Sequence, residues 1–217
     1  LAMEEEIDFI LENASAYMTK KPSRKDVKSV FTGLRPLAAN EGKKESTKEV
    51  SRHHKIIVST SGLISVLGGK WTTYRKIAED AVNTIQMVGG LPERRCNTET
   101  LAIFGNDFNA DFTKPYHFYG TETDKIKALN PQKATNSLSK KLFISENQVV
   151  WAVREEMAMT LEDVLARRTR CLFLDAYETE KIAPQVAKIM CKEMKKDTSW
   201  MEEELKKFNS ILKKYQL

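Results

Sequence analysis

No apolar run in this 217-residue sequence approaches the roughly 20 residues that a membrane-spanning helix needs. The start also lacks a charged stretch followed by an apolar one and a cleavage site, so no export signal is visible. Cysteine is scarce: Cys96, Cys171 and Cys191 are widely spaced, with no CxxC and no Cys/His ligand pattern around them. That argues against a disulfide framework and leaves free thiols in a reducing compartment, with no metal site expected. Internal repeats, low-complexity tracts and nucleic-acid module signatures are missing too, so no nucleic-acid partner is expected. The first residue is Leu rather than Met, which reads as a longer protein that has been cut or processed.

What is present suits a packed fold. Hydrophobic residues make up 41% against 30% charged, and they are spread along the whole sequence. Basic residues outnumber acidic ones by 35 to 30, and the two signs are mostly interspersed. The resulting field is mildly positive; it permits an anionic ligand or membrane surface without demanding one.

Helical spacing of Ile7, Ile10, Leu11, Ala14 and Tyr17 predicts an amphipathic helix from Glu4 to Met18, with Glu4, Glu5 and Glu6 at its favourable end. Pro22 breaks that pattern, and Val27 through Leu37 reads as strand until Pro36. Residues 38–50 are polar and read as a surface loop. Two β-type runs, Lys55 to Val58 and Leu63 to Leu67, flank Ser59-Thr60-Ser61-Gly62 and predict a hairpin. The period then changes to helical, with Ile77, Ala81, Ile85 and Val88 on one stripe, until Gly89-Gly90 stops it.

Beyond Pro92 the chain reads as helices joined by short polar segments. Ser145 with Gln148, Thr160 with Asp163, and Ser199 with Glu202 each look like a capping box. Pro184 reads as an early helical residue, and Leu205, Phe208, Leu212 and Tyr215 share the last helical face. Trp151, Met157, Leu161 and Leu165 are expected in the core. The paired charges of Glu155-Glu156 and Arg167-Arg168-Thr169-Arg170 are expected on solvated faces or in local ion pairs.

The chemistry concentrates at Gly68-Gly69-Lys70-Trp71-Thr72-Thr73-Tyr74-Arg75. Two glycines between a strand read as buried and a helix let backbone approach a ligand closely. The following helix start aims unpaired N–H groups at an anion or an electron-rich ring. Lys70 adds a cation there, and Thr72 and Thr73 add hydroxyls. By itself, a tight turn before a capped helix accounts for the same residues with no ligand.

Neighbouring blocks add context: Phe31-Thr32-Gly33-Leu34-Arg35-Pro36-Leu37, then Ser51-Arg52-His53-His54, then the run from Gly62 to Arg75. In that order they resemble the closing segments of FAD-dependent glycerol-3-phosphate dehydrogenases, and Val153 to Arg170 with Leu174-Asp175-Ala176 resembles that family's helical domain. The resemblance implies oxidation of sn-glycerol 3-phosphate to dihydroxyacetone phosphate, with FAD as hydride acceptor and a quinone as onward acceptor. It implies substrate contacts for Arg35 and Arg52, where a guanidinium fork suits a phosphate or a carbonyl oxygen. It implies a flavin-binding turn at Gly68, Gly69, Lys70, Trp71, Thr72 and Thr73, with Lys70 also in a catalytic position. Surface ion pairing is the plainer use of any arginine. His53 and His54 read as strand-edge residues rather than a general base.

The family's usual pyrophosphate cradle, GxGxxG, does not occur in these residues. The expected architecture is therefore an α+β fragment. Strands and a helix in residues 1–92 close an FAD-binding and substrate domain, and an all-α carboxy-terminal domain follows in 93–217. Alone, such a fragment is expected to be inactive. The competing expectation is a non-catalytic helical module for partner docking or membrane proximity. A cytoplasmic location is expected, with peripheral contact on the inner face of the cell membrane and a homodimer both left open.

Overall fold

The computed structural model describes residues 1–33 and 53–217. They fall into two compact units, one built from Leu1–Thr32 with Phe104–Leu217 and the other spanning Gly33–Ile103.

The first unit holds the core. Helix α1 (Glu4–Ser15) carries its three glutamates in the first turn and buries Ile7. Arg24, in a following 3-10 turn, pairs with Glu4 and Asp8 of that helix. The strand expected over Val27 to Leu37 does not form at residues 27–33, although Val27 itself is extended, and residues 34–37 of it, like the loop expected at 38–50, lie outside the described residues. The partners of residues 28–31 lie far along the chain instead. The Val30 amide donates to the Tyr215 carbonyl (2.9 Å), Lys28 accepts from the Ala176 amide (2.9 Å), and Phe31 meets Phe173 edge-on at 4.9 Å.

Helices α3 (Thr123–Leu129), α4 (Pro131–Ala134) and α5 (Glu146–Glu155) come next in that unit. Ser145 and Gln148 form the predicted capping box at the start of α5: the Ser145 amide donates to Gln148 Oε1 (2.8 Å) and the Gln148 amide to Ser145 Oγ (3.3 Å). Thr160 and Asp163 form a second box, with reciprocal bonds of 3.0 and 3.1 Å, and lead into a π-helical turn at Asp163–Arg168. The third expected box does not form. Helix α8 (Thr198–Leu212) begins earlier because Asp197 accepts the Trp200 amide at 2.9 Å, so Ser199 is already helical. Pro184 likewise lies inside α7 (Ala176–Glu193) rather than in its first turn, since Asp175 caps that helix well upstream. Proline there leaves the preceding turn one donor short.

Short helix α6 (Cys171–Leu174) precedes α7, which packs against α5 and α8. Leu161, Val164, Leu165, Val186, Ala187 and Met190 are fully buried between them, with Phe208 and Leu212 contributed by α8. The buried Glu204 carboxylate of α8 accepts the Leu161 amide at 2.9 Å. Trp151 is buried as expected, in a cluster with Tyr116, Tyr119 and Ile126. Met157 is not: it is 82% exposed and takes φ 57°, because the chain doubles back after α5 for the Ala158 amide to reach the Ala152 carbonyl (2.9 Å).

The charge block behaves as local pairing in part. Arg167 binds Asp163 and Glu162, each at 2.9 Å, whereas Arg168 donates to the Glu156 backbone carbonyl at 3.0 and 2.6 Å. The Glu156 carboxyl turns inward, and its Oε2 is a buried oxygen without a hydrogen-bond partner among the described residues. Burial pushes this acid upward, and the Arg168 charge only partly opposes the shift.

The second unit contains strands β1 (His54–Val58) and β2 (Ile64–Gly68), an antiparallel hairpin at the predicted place. Helix α2 (Tyr74–Val88) follows and ends at Gly89 as predicted. However, β2 is not a buried strand, and no described residue from 53 to 103 is buried. A two-stranded sheet and one helix cannot enclose a core.

Leu165→Ala should lower the unfolding free energy by about 3 kcal/mol, measured by urea denaturation. The raised Glu156 acid gives a pH test. Stability from its neutral form is fully present below the ordinary glutamate value of about 4.3 and is lost as pH rises through the higher folded value. Wild type should therefore lose stability relative to Glu156→Gln as pH rises above the ordinary glutamate range, read from paired denaturation curves.

Candidate functional site

The described candidate residues sit on one connection of the second unit. His54 stands opposite Gly68 in the β1–β2 ladder, and Val58 opposite Ile64. At the far end of the hairpin, Ser59 closes the loop by donating its amide to the Leu63 carbonyl (2.9 Å) while its hydroxyl accepts the Leu63 amide (3.0 Å).

At the near end the chain turns through Gly68 (φ 71°) and Gly69 (φ 92°), both in the region that side chains disfavour. A Cβ on Gly69 would lie 2.6 Å from Ile77 Cδ1, so helix α2 presses directly on the turn. Lys70 returns to extended geometry and starts a 3-10 turn over Trp71–Thr73, which runs into α2. The Thr73 amide and hydroxyl both bond the Lys70 carbonyl at 3.0 Å, so the hydroxyl closes the turn and does not cap α2. Lys70, Trp71 and Thr72 are exposed; Trp71 is 85% exposed and stacks on Tyr74 with ring centroids 5.4 Å apart.

The turn thus unites Gly68, Gly69, Lys70, Trp71, Thr72 and Thr73, while Arg35 and Arg52 lie outside the described residues. Backbone without side chains, a nearby cation and a helix start fit the electron-rich pyrimidine end of a flavin. Both glycines take positive φ, and at those two positions alone the connection presents bare backbone.

An arrangement that motif reading missed lies beside it. His54 Nε2 is 2.9 Å from Asp80 Oδ2 on α2, and Lys76 Nζ is 3.0 Å from Asp80 Oδ1. Lys76, and then His54, hold the Asp80 carboxyl below the usual carboxylate range against an opposing desolvation effect. The sequence signal for this link is one helical turn from Lys76 to Asp80, together with a histidine at the hairpin's first paired position.

A separate groove of about 1030 Å³ in the same unit is lined by Tyr74, Val82, Leu91, Cys96, Leu101 and Ile103, among others. On its wall Arg75 donates to Glu79 (2.9 Å) and Thr98 (3.2 Å). The groove includes none of residues 68–73. Among the described residues no helix is long and apolar enough to cross a membrane.

Comparison with known proteins places these features in context. The family described as the C-terminal domain of alpha-glycerophosphate oxidase matches residues 64–201. The chain is 31% identical to a probable mitochondrial glycerol-3-phosphate dehydrogenase of Dictyostelium discoideum, over 97% of this chain and 37% of that protein. It is 32% identical to a mitochondrial glycerol-3-phosphate dehydrogenase of Arabidopsis thaliana, over 98% of this chain and 39% of that protein. A probable mitochondrial glycerol-3-phosphate dehydrogenase of Caenorhabditis elegans is 33% identical, over 95% and 32% respectively. The chain therefore spans well under half the length of these relatives. Their mitochondrial names overturn the expected location in the cytoplasm or on the inner face of the cell membrane. Absence of a visible export signal had no power to distinguish these compartments.

Gly69→Ala should strain the turn by about 1–3 kcal/mol through its positive φ and the contact with Ile77. Hydrogen exchange in α2 and the hairpin is expected to quicken, while exchange in α7 and α8 stays unchanged.

Proposed function

The chain belongs to the family of the C-terminal domain of alpha-glycerophosphate oxidase, and from that membership we propose that it is the carboxy-terminal part of a mitochondrial flavoprotein that oxidises sn-glycerol 3-phosphate. The observation that carries this reading is similarity across nearly the whole chain to proteins named for that activity, 97% and 98% in two cases. The product is dihydroxyacetone phosphate, and the electrons pass onward to a quinone.

The hairpin and α2, within residues 1–92, supply the distal part of the FAD-binding and substrate domain, and the helices within 93–217 form the carboxy-terminal domain, with which residues 1–32 pack. The uncovered apolar surface of the second unit supports this division of labour. Ile57, Val66, Leu67, Trp71, Val82 and Ile85 are exposed, as expected of a piece that completes its core against the remainder of a longer protein. FAD, when bound, supplies the hydride acceptor. Gly68 and Gly69 let backbone approach it, the exposed Trp71 and Thr72 line the approach, and Thr73 closes the turn on which Lys70 stands. Lys70 sits at the junction of flavin and substrate as the catalytic candidate, and its ammonium favours negative charge there. Arg35 and Arg52 bind the substrate's phosphate or its developing carbonyl oxygen. A non-catalytic docking module has no observation specifically in its favour.

The test uses the full-length parent and this chain side by side. The parent should reduce an artificial dye on addition of sn-glycerol 3-phosphate, and Arg35→Ala or Arg52→Ala should raise KM about tenfold or more, the scale of one charge-assisted hydrogen bond. This chain alone should leave gel filtration without flavin absorbance. A parent inert toward glycerol 3-phosphate would sink the assignment, whereas flavin retained by the isolated chain would refute its incompleteness.

A further inference from the structure

The glycine turn has no side chains with which to hold its own shape, so its geometry must come from its neighbours. Two of those neighbours lie on one stretch of α2. Ile77 presses against Gly69, and Asp80, nearly one turn on, reaches the His54 imidazole at 2.9 Å. His54 is the residue paired with Gly68 across the hairpin. One helix thus touches the turn directly and also grips the residue facing it.

The link is partly shielded, with the His54 and Asp80 side chains 23% and 31% exposed. Asp80 is held at both oxygens, by His54 on one and Lys76 on the other, which fixes the carboxylate plane. Lys76 and Asp80 belong to the same helix, so their pairing cannot hold α2 to the hairpin. The His54 bond joins the two elements, and it does so at the rung next to Gly69.

We propose that Asp80, acting through His54, is a positioning residue that sets the distance between hairpin and α2 and so places the Gly68-Gly69-Lys70 backbone against the flavin. This rests on the reading of that turn as the flavin-binding one. In the full-length parent, Asp80→Ala and His54→Ala should each weaken FAD binding about tenfold, the scale of one hydrogen bond to a charged group. Both should lower kcat while KM for sn-glycerol 3-phosphate stays within about twofold, since no substrate contact is lost. The double variant should be no worse than either single one, because each removes the same link. Asp80→Asn keeps an acceptor oxygen for the imidazole N–H and should recover most of the affinity.

The measurement is FAD titration of the apoprotein by flavin fluorescence, beside steady-state kinetics and the apoprotein's thermal midpoint. A merely structural pair would lower the midpoint and leave FAD affinity and kcat untouched; that result overturns the proposal. Additive losses in the double variant overturn the route through His54. Loss of FAD in Lys70→Ala with none in Asp80→Ala removes the positioning role alone. No loss in Lys70→Ala either would reject the turn's assignment, and the positioning role with it. If Asp80→Ala does not fold, His54→Ala carries the same comparison from the hairpin side.

Discussion

A single buried carboxylate organises the helical unit. Glu204 projects from α8 and accepts the amide of Leu161, at the start of the segment that supplies Leu161, Val164 and Leu165 to the core. An amide buried at that depth without a partner would cost more than the bond itself returns. The interaction therefore fixes where α8 lies relative to the π-helical turn. With α8 in place, Phe208 and Leu212 fill the space beside α7, and the rest of the packing follows from volume.

The second unit follows the opposite logic. Its parts are individually well specified, with a capped hairpin loop, a left-handed double glycine and a helix stopped by Gly89, yet nothing in it is buried among the described residues. Local chemistry is sufficient to shape a hairpin and a helix. It is insufficient to enclose them, because the apolar area on one hairpin and one helix has nowhere internal to go.

That contrast explains what was legible in the sequence. The hairpin, the glycine turn, the stop of α2 and the boxes at Ser145 and Thr160 were legible because each depends on residues within a few positions. Ser199 and Pro184 misled because stronger caps, Asp197 and Asp175, start their helices earlier. The strand expected from Val27 is replaced, in residues 28–31, by contacts that were not legible. Leu172, Ala176 and Tyr215 are far along the chain, and no periodicity names them. The link from His54 to Asp80 was hidden for a similar reason: it requires the ladder register and the helix phase together. For Arg35 and Arg52, family resemblance remains the guide.

The grip on residues 28–30 also bears on how the chain is made. Ser29 donates to the Leu172 carbonyl across 143 positions, and Val30 to Tyr215, beyond the last helix. On the ribosome, residues 28–30 must wait until α6, α7 and finally Tyr215 have emerged. Closing so long a loop carries an entropic penalty that grows only with the logarithm of its length, so the delay need not be a large equilibrium burden. Its effect is temporal. The second unit, whose sequence lies between these partners, is synthesised before the first can be completed, and Tyr215 closes the clasp.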